Sequence, residues 1–336
     1  MPLIVTANAV ANRTWASQAT GILAGLTSGA TFLLGAVYFA GVLGPPATGA
    51  AASAIGAGIM LTAVVAAVLT SNPTRERVAR LLNLDPDNPV HGLALVLAVI
   101  LFGSQVTLVA FTDVLAADRS QPPLTVLDLF AQEVPFLIIA AAGVGLYIRR
   151  DGAQTAARLG VVMPAWWQIA LALAAAGIFF AFGQGVDSLS HTFTPGVAHN
   201  VDITTQHVFG GLGSPVGIAA ISLLPAICEE ILFRGALQPR LGLVITALLF
   251  TSIHTQYSIS FDTFAVFVLA LGLGLLRKYT DTTTTIVCHA SYNLVVSVGI
   301  ASQLVGFAIA GELALVALTA FALRSYRRRS PATTTP

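Results

Sequence analysis

Apolar residues in this chain do not alternate with polar ones but run in long, unbroken stretches. Ten of these stretches lie near 18–43, 49–70, 91–111, 129–148, 166–186, 213–236, 241–257, 261–277, 284–301 and 304–323. Each approaches the ~20 residues that a helix needs to cross a bilayer. Backbone groups in lipid must find their hydrogen bonds within the segment, so such runs are helices. The pattern predicts an all-α, polytopic transmembrane bundle of about ten spans. Between the second and third runs, Arg75 to Leu84 reads as a basic amphipathic helix lying on the membrane surface. Gly21, Gly25 and Gly29 recur at four-residue spacing, which predicts close helix approach there. Asp113, Asp118, Asp128 and Glu133 are expected in one outer loop. His191, His199 and His207 fall in another, a solvated stretch rather than a metal site. The terminal segment 330–336 is too polar and too short to fold by itself.

Charge tests the topology independently. With the amino terminus inside, every Lys and Arg except Arg119 falls on one side of ten alternating spans, so both termini are expected to be cytoplasmic. Of the residues, 56% are hydrophobic and 9% charged, too few charges for a water-exposed surface, and the net charge of +1 gives no reason to expect nucleic acid. Cys228 and Cys288 sit inside apolar runs and read as small buried hydrophobes rather than a disulfide. The first apolar run is too long for the core of a signal peptide. No repeat marks the inverted halves of a transporter.

Ionisable groups at membrane depth persist only for a reason, and three runs carry them. Glu229 and Glu230 lie in the sixth, His254 ends the apolar part of the seventh, and His289 and Asn293 share the ninth. At ~1.5 Å per residue, Glu229, His254 and His289 fall roughly 16, 20 and 10 Å from the inner end of their helices, so antiparallel neighbours bring them together. His289 and Asn293 are four apart, on one helix face, as are Glu230 and Arg234, which can pair. Glu229 points about 100° away from Glu230. Two adjacent carboxylates in a dry site cannot both ionise cheaply, so one is expected to hold a proton near neutral pH, as a general acid or base does.

These residues form three motifs. Glu229-Glu230-Ile231-Leu232-Phe233-Arg234-Gly235 resembles the EExxFRG signature of the CPBP intramembrane proteases, the family of CAAX prenyl endopeptidases and bacteriocin-processing or self-immunity (Abi) proteins. Phe250-Thr251-Ser252-Ile253-His254 matches its FxxxH motif, and His289-Ala290-Ser291-Tyr292-Asn293 its HxxxN motif. The resemblance covers about 213–303 and divides the chain into 1–150, of unmatched role, a protease core at 151–326 and a tail at 327–336.

The resemblance implies an intramembrane endopeptidase. Glu229 with His254 would activate a water, His289 and Asn293 would steady the oxyanion, and Glu230 and Arg234 would orient the others. No cofactor is expected under this scheme. A Zn²⁺ ion held by Glu229, His254 and His289 is the other chemistry that these residues offer. The implied partner is a membrane-associated or lipidated peptide, and the alanine-rich, lysine-poor composition points to a prokaryotic plasma membrane, where a bacteriocin precursor or toxin fits better than a prenylated protein. The rival reading is a non-catalytic transport or immunity protein. Clustering of the ionisable residues at one depth, rather than along a path, favours the enzyme.

Overall fold

Helices form wherever the apolar runs predict them. The computed structural model describes residues 2–11, 13, 15–42 and 50–329. Among these residues there is no strand, and the helices are α1 (Pro2–Ala9), α2 (Ala16–Phe39), α3 (Ala50–Val68), α4 (Asn72–Leu81), α5 (Pro89–Phe111), α6 (Val114–Arg119), α7 (Val126–Val144) and α8 (Gly152–Leu159). There follow α9 (Trp166–Phe193), α10 (Pro195–Phe209), α11 (Pro215–Glu230), α12 (Gln238–Leu241), α13 (Leu243–Ser252), α14 (Phe261–Tyr279), α15 (Thr282–Val298) and α16 (Val305–Arg329). The chain is a polytopic helical membrane bundle.

Among the described residues, seven stretches are long and apolar enough to cross a membrane: those of α2, α3, α5, α7, α9, α11 through α12, and α16. The seventh predicted run does not make a full span. Its helix, α13, has only ten residues, ~15 Å against a hydrocarbon core of ~30 Å. Residues 253–260 carry the chain onward as a tight turn against α6 and α10. α16 runs to Arg329, into the expected tail, while 330–336 lie outside the described residues.

Three other expectations change. The Asp187–His207 stretch is not a loop but the end of α9 and most of α10. Gly25 and Gly29 meet nothing closely. The close crossing of α2 and α3 is made instead by Gly35 and Gly56, where a Cβ on Gly56 would lie 2.3 Å from the Phe39 backbone nitrogen. α4 forms as expected, but its Arg75 is buried rather than spread on a surface.

Connections predicted for one side do meet at one end. The Asn83 amide donates to the Pro239 carbonyl at 3.0 Å. Arg158 lies near Arg240, Arg150 and Arg277, and burial followed by these charges pushes its pKa down to about 10. At the opposite end, Arg119 donates to the Thr204 hydroxyl at 2.6 Å, and a ring nitrogen of His207 bonds the Gln121 carbonyl at 2.7 Å. Large side chains such as Leu33, Leu61, Ile178 and Phe321 are exposed along the flanks, as lipid-facing residues are. The α11–α12 stretch is the exception. In its apolar window 56% of residues are buried, against 6–39% in the other six, so it forms the bundle's interior.

Candidate active site

The site is built on α11 and its continuation. Pro225 lies inside α11 and has no N–H to donate to the carbonyl four residues back, that of Ile221. The Asn293 side-chain amide on α15 reaches this carbonyl at 3.4 Å. Past Glu230 the helix widens into a π-helical stretch, Ile231–Leu237, covering the rest of the EExxFRG motif. Such stretches are rare and concentrate at functional sites. Arg158 of α8 donates to the Gly235 carbonyl at 3.2 Å, tying α8 to the end of this stretch. Any Cβ at Gly235 would stand 2.7 Å from the Leu159 carbonyl oxygen, so this motif position has to be glycine for α8 to dock.

Glu230 and Arg234 form the pair that their spacing predicts, at 2.9 Å, with 0% and 1% exposure. Arg234 also donates to the Ala270 carbonyl at 3.3 Å, and its guanidinium lies 4.2 Å from the Phe250 ring centroid. Phe233 packs edge-on against Phe250, with centroids 5.3 Å apart. The buried charge is thus compensated by a carboxylate, a carbonyl and an aromatic face together.

α15 is locked at its start. Asp281 caps it, accepting from the Thr284 backbone N–H at 2.8 Å, while Gln168 of α9 donates to the other Asp281 oxygen at 2.8 Å. The Thr282 hydroxyl donates to the Leu159 carbonyl at 2.6 Å. Two turns on, His289 Nδ1 meets Glu230 Oε1 at 3.0 Å. This oxygen already accepts from Arg234, so Nδ1 carries the proton and Nε2 is free. His254 is fixed in the same way: its Nδ1 lies 2.8 Å from the Phe250 carbonyl, which can only accept. Both imidazoles therefore turn Nε2 away from the groups that hold them.

His254, His289 and Asn293 line one cavity of about 80 Å³, whose walls include Phe250, Tyr257 and Tyr292. Neither Glu229 nor Glu230 is in that lining. Glu230 touches it through His289, and Glu229, 5% exposed, lies within electrostatic reach of Tyr257. Glu229 Oε2 makes no hydrogen bond. Among the described residues, the only His, Cys, Asp or Glu groups that bring three ligand atoms within 4.8 Å of one another are Asp187 and His191 of α9 with Asp202 of α10. Glu229, His254 and His289 do not converge as a metal site needs.

One residue was missed in the sequence. Glu133, expected in an outer loop, is 7% exposed inside α7, which packs on α11. Its Oε2 has no partner, and its charge acts on Glu229. A buried carboxyl of the amino-terminal half thus sits on the helix that packs against α11. The only signal was a lone glutamate five residues into an apolar run.

A family model described as type II CAAX prenyl endopeptidase Rce1-like matches residues 211–295. Over that segment the chain is similar to the family. The match spans all three motifs, from the start of α11 to just past Asn293, and it implies an intramembrane endopeptidase. No curated protein and no solved structure matches the chain.

Proposed function

We propose that this protein hydrolyses a peptide bond within the membrane, using water activated by His254 and Glu229. The observation that carries this reading is that two imidazoles, each anchored through Nδ1, share one small cavity with Asn293. His254 Nε2 takes a proton from water as the oxygen bonds to the scissile carbonyl carbon. The carbonyl π electrons move to oxygen, and Asn293 donates a hydrogen bond to that oxyanion. Collapse re-forms the carbonyl and breaks the C–N bond, and the proton passes from His254 to the leaving amine. Glu229, the buried carboxyl without a hydrogen-bond partner at Oε2, stabilises the imidazolium between the two transfers. Glu230 and Arg234 hold His289 in place.

Because Glu229, His254 and His289 do not converge, the metal-free scheme fits better than zinc hydrolysis. The substrate is a membrane-associated or lipidated peptide, either a prenylated CAAX protein, as the family description implies, or a precursor peptide of a prokaryotic membrane. The test is cleavage of a quenched fluorescent peptide library that includes prenylated CAAX peptides, with and without chelator. Chelator-resistant cleavage that Glu229→Ala and His254→Ala abolish is expected. Activity lost to chelator and restored by Zn²⁺ would establish the metal mechanism, and no cleavage at all would return the protein to the transport or immunity class.

A further inference from the structure

Resting on that reading, we propose that the Tyr257 hydroxyl is a second hydrogen-bond donor to the oxyanion. Because His254 gives its one N–H to the Phe250 carbonyl, it faces the cavity as a lone pair, able to take a proton but not to donate. His289, when neutral, presents the same face. Asn293 spends one amide N–H on Ile221. An oxyanion formed among these groups would find one donor, whereas sites of this chemistry rely on several aimed at the developing charge.

Two tyrosines line the cavity and stay protonated at neutral pH. Tyr292 sends its hydroxyl toward α9, where it would lie 3.5 Å from a Cβ on Gly183. Tyr257 stacks parallel to the His254 ring, at 6.5 Å between centroids and 5° between planes, within electrostatic reach of Glu229. It therefore stands beside His254, the group proposed to take the proton from water.

The backbone holds it there at a cost. Ser258, the next residue, has φ +51°, which a residue with a Cβ seldom adopts. The Thr263 hydroxyl secures this turn by donating to the Ser258 carbonyl at 2.5 Å, and the turn packs against α6 and α10. Strain kept in place by its surroundings is typical of functional positions. A charged oxyanion is a stronger acceptor than a neutral carbonyl, so the Tyr257 hydroxyl hydrogen turns to it as the charge develops.

Tyr257→Phe keeps the stacked ring and removes only the hydroxyl. With the library peptide that the wild type cleaves best, kcat is expected to fall about 10²-fold, as for loss of one oxyanion donor, with KM held within about twofold. Tyr257→Phe combined with Asn293→Ala should lose less than the product of the single losses, since both donate to one oxygen. A kcat within about threefold of wild type, or a change in KM alone, overturns the proposal. Should the Phe variant not fold, a fluorinated tyrosine at 257 decides: its more acidic hydroxyl should raise kcat below the pH at which it ionises, and an unchanged kcat overturns the role. Full activity in both Glu229→Gln and His254→Ala would instead sink the parent reading. Inactivity in those variants beside an active Tyr257→Phe would sink this inference alone.

Discussion

Two regions of the bundle solve the same packing problem by different means. α2, α3 and α5 approach one another through small side chains: Gly35 against Gly56, Gly58 against Thr107 and Gly103 against Thr62. No charged residue enters these contacts. α11 and α15 are joined instead by the Glu230–Arg234–His289 cluster and by Asn293 on the Ile221 carbonyl. In lipid, dispersion contacts between closely approaching backbones hold helices without desolvating any ion. A buried ion pair is a poor means of gaining stability, because its desolvation offsets its attraction. The first region is built to hold, and the second accepts that cost in order to place an imidazole.

The largest effect should come from breaking the second region. Arg234→Met leaves Glu230 buried beside Glu229 without its cation, and removal of one partner of a buried pair typically costs about 3–5 kcal/mol. A large drop in Tm in detergent is expected, with part recovered in the double variant Glu230→Gln/Arg234→Met. An unchanged Tm would mean that the pair is not buried as described.

Gly56→Leu tests the first region. The added side chain would meet the α2 backbone, and overpacking costs roughly 1–3 kcal/mol. The folded fraction should keep its kcat, because these contacts hold helices and do not touch the site. A folded but inactive Gly56→Leu would erase the distinction between the regions.

Much of this division was legible in the sequence. The helices follow from long apolar runs, and the Glu230–Arg234 pair and the His289–Asn293 face follow from four-residue spacing. What could not be read depended on neighbours in space. The glycines that matter are Gly35 and Gly56, in no motif, while the evenly spaced Gly25 and Gly29 touch nothing. The short α13 was hidden because the run was carried on to Tyr257, although the polar His254, Thr255 and Gln256 lie where the chain leaves the helix. The burial of Glu133 shows only once α7 lies against α11.

Glu133 is where the comparison blurs, since it reaches the site from the amino-terminal half. A buried carboxyl with an unpartnered oxygen weakens a fold by about 1–3 kcal/mol. The wild type bears that cost, so Glu133→Met should raise Tm while lowering kcat, the usual exchange of stability against activity at a functional position. A higher Tm with unchanged kcat would return Glu133 to the scaffold and sharpen the boundary between the regions.

The smallest expected effect concerns Pro225, which touches no reacting group. Its missing N–H leaves the Ile221 carbonyl free, and Asn293 uses this carbonyl. Pro225→Ala would supply a backbone N–H four residues from that carbonyl and draw it back into the helix. Asn293 then loses its anchor while keeping its own chemistry. Because the 3.4 Å contact is long and therefore weak, the loss should be a few-fold, well short of the 10²–10³-fold expected for Asn293→Ala. Stability should rise or hold, since an interior helix proline is replaced by the best helix former. The split between kcat and Tm separates this from mere damage: a folding defect lowers both, whereas a released Asn293 lowers kcat alone. In an Asn293→Ala background, Pro225→Ala should cost nothing further. An additional loss there would show that the proline acts on some other part of the site, and the link between it and Asn293 would fall.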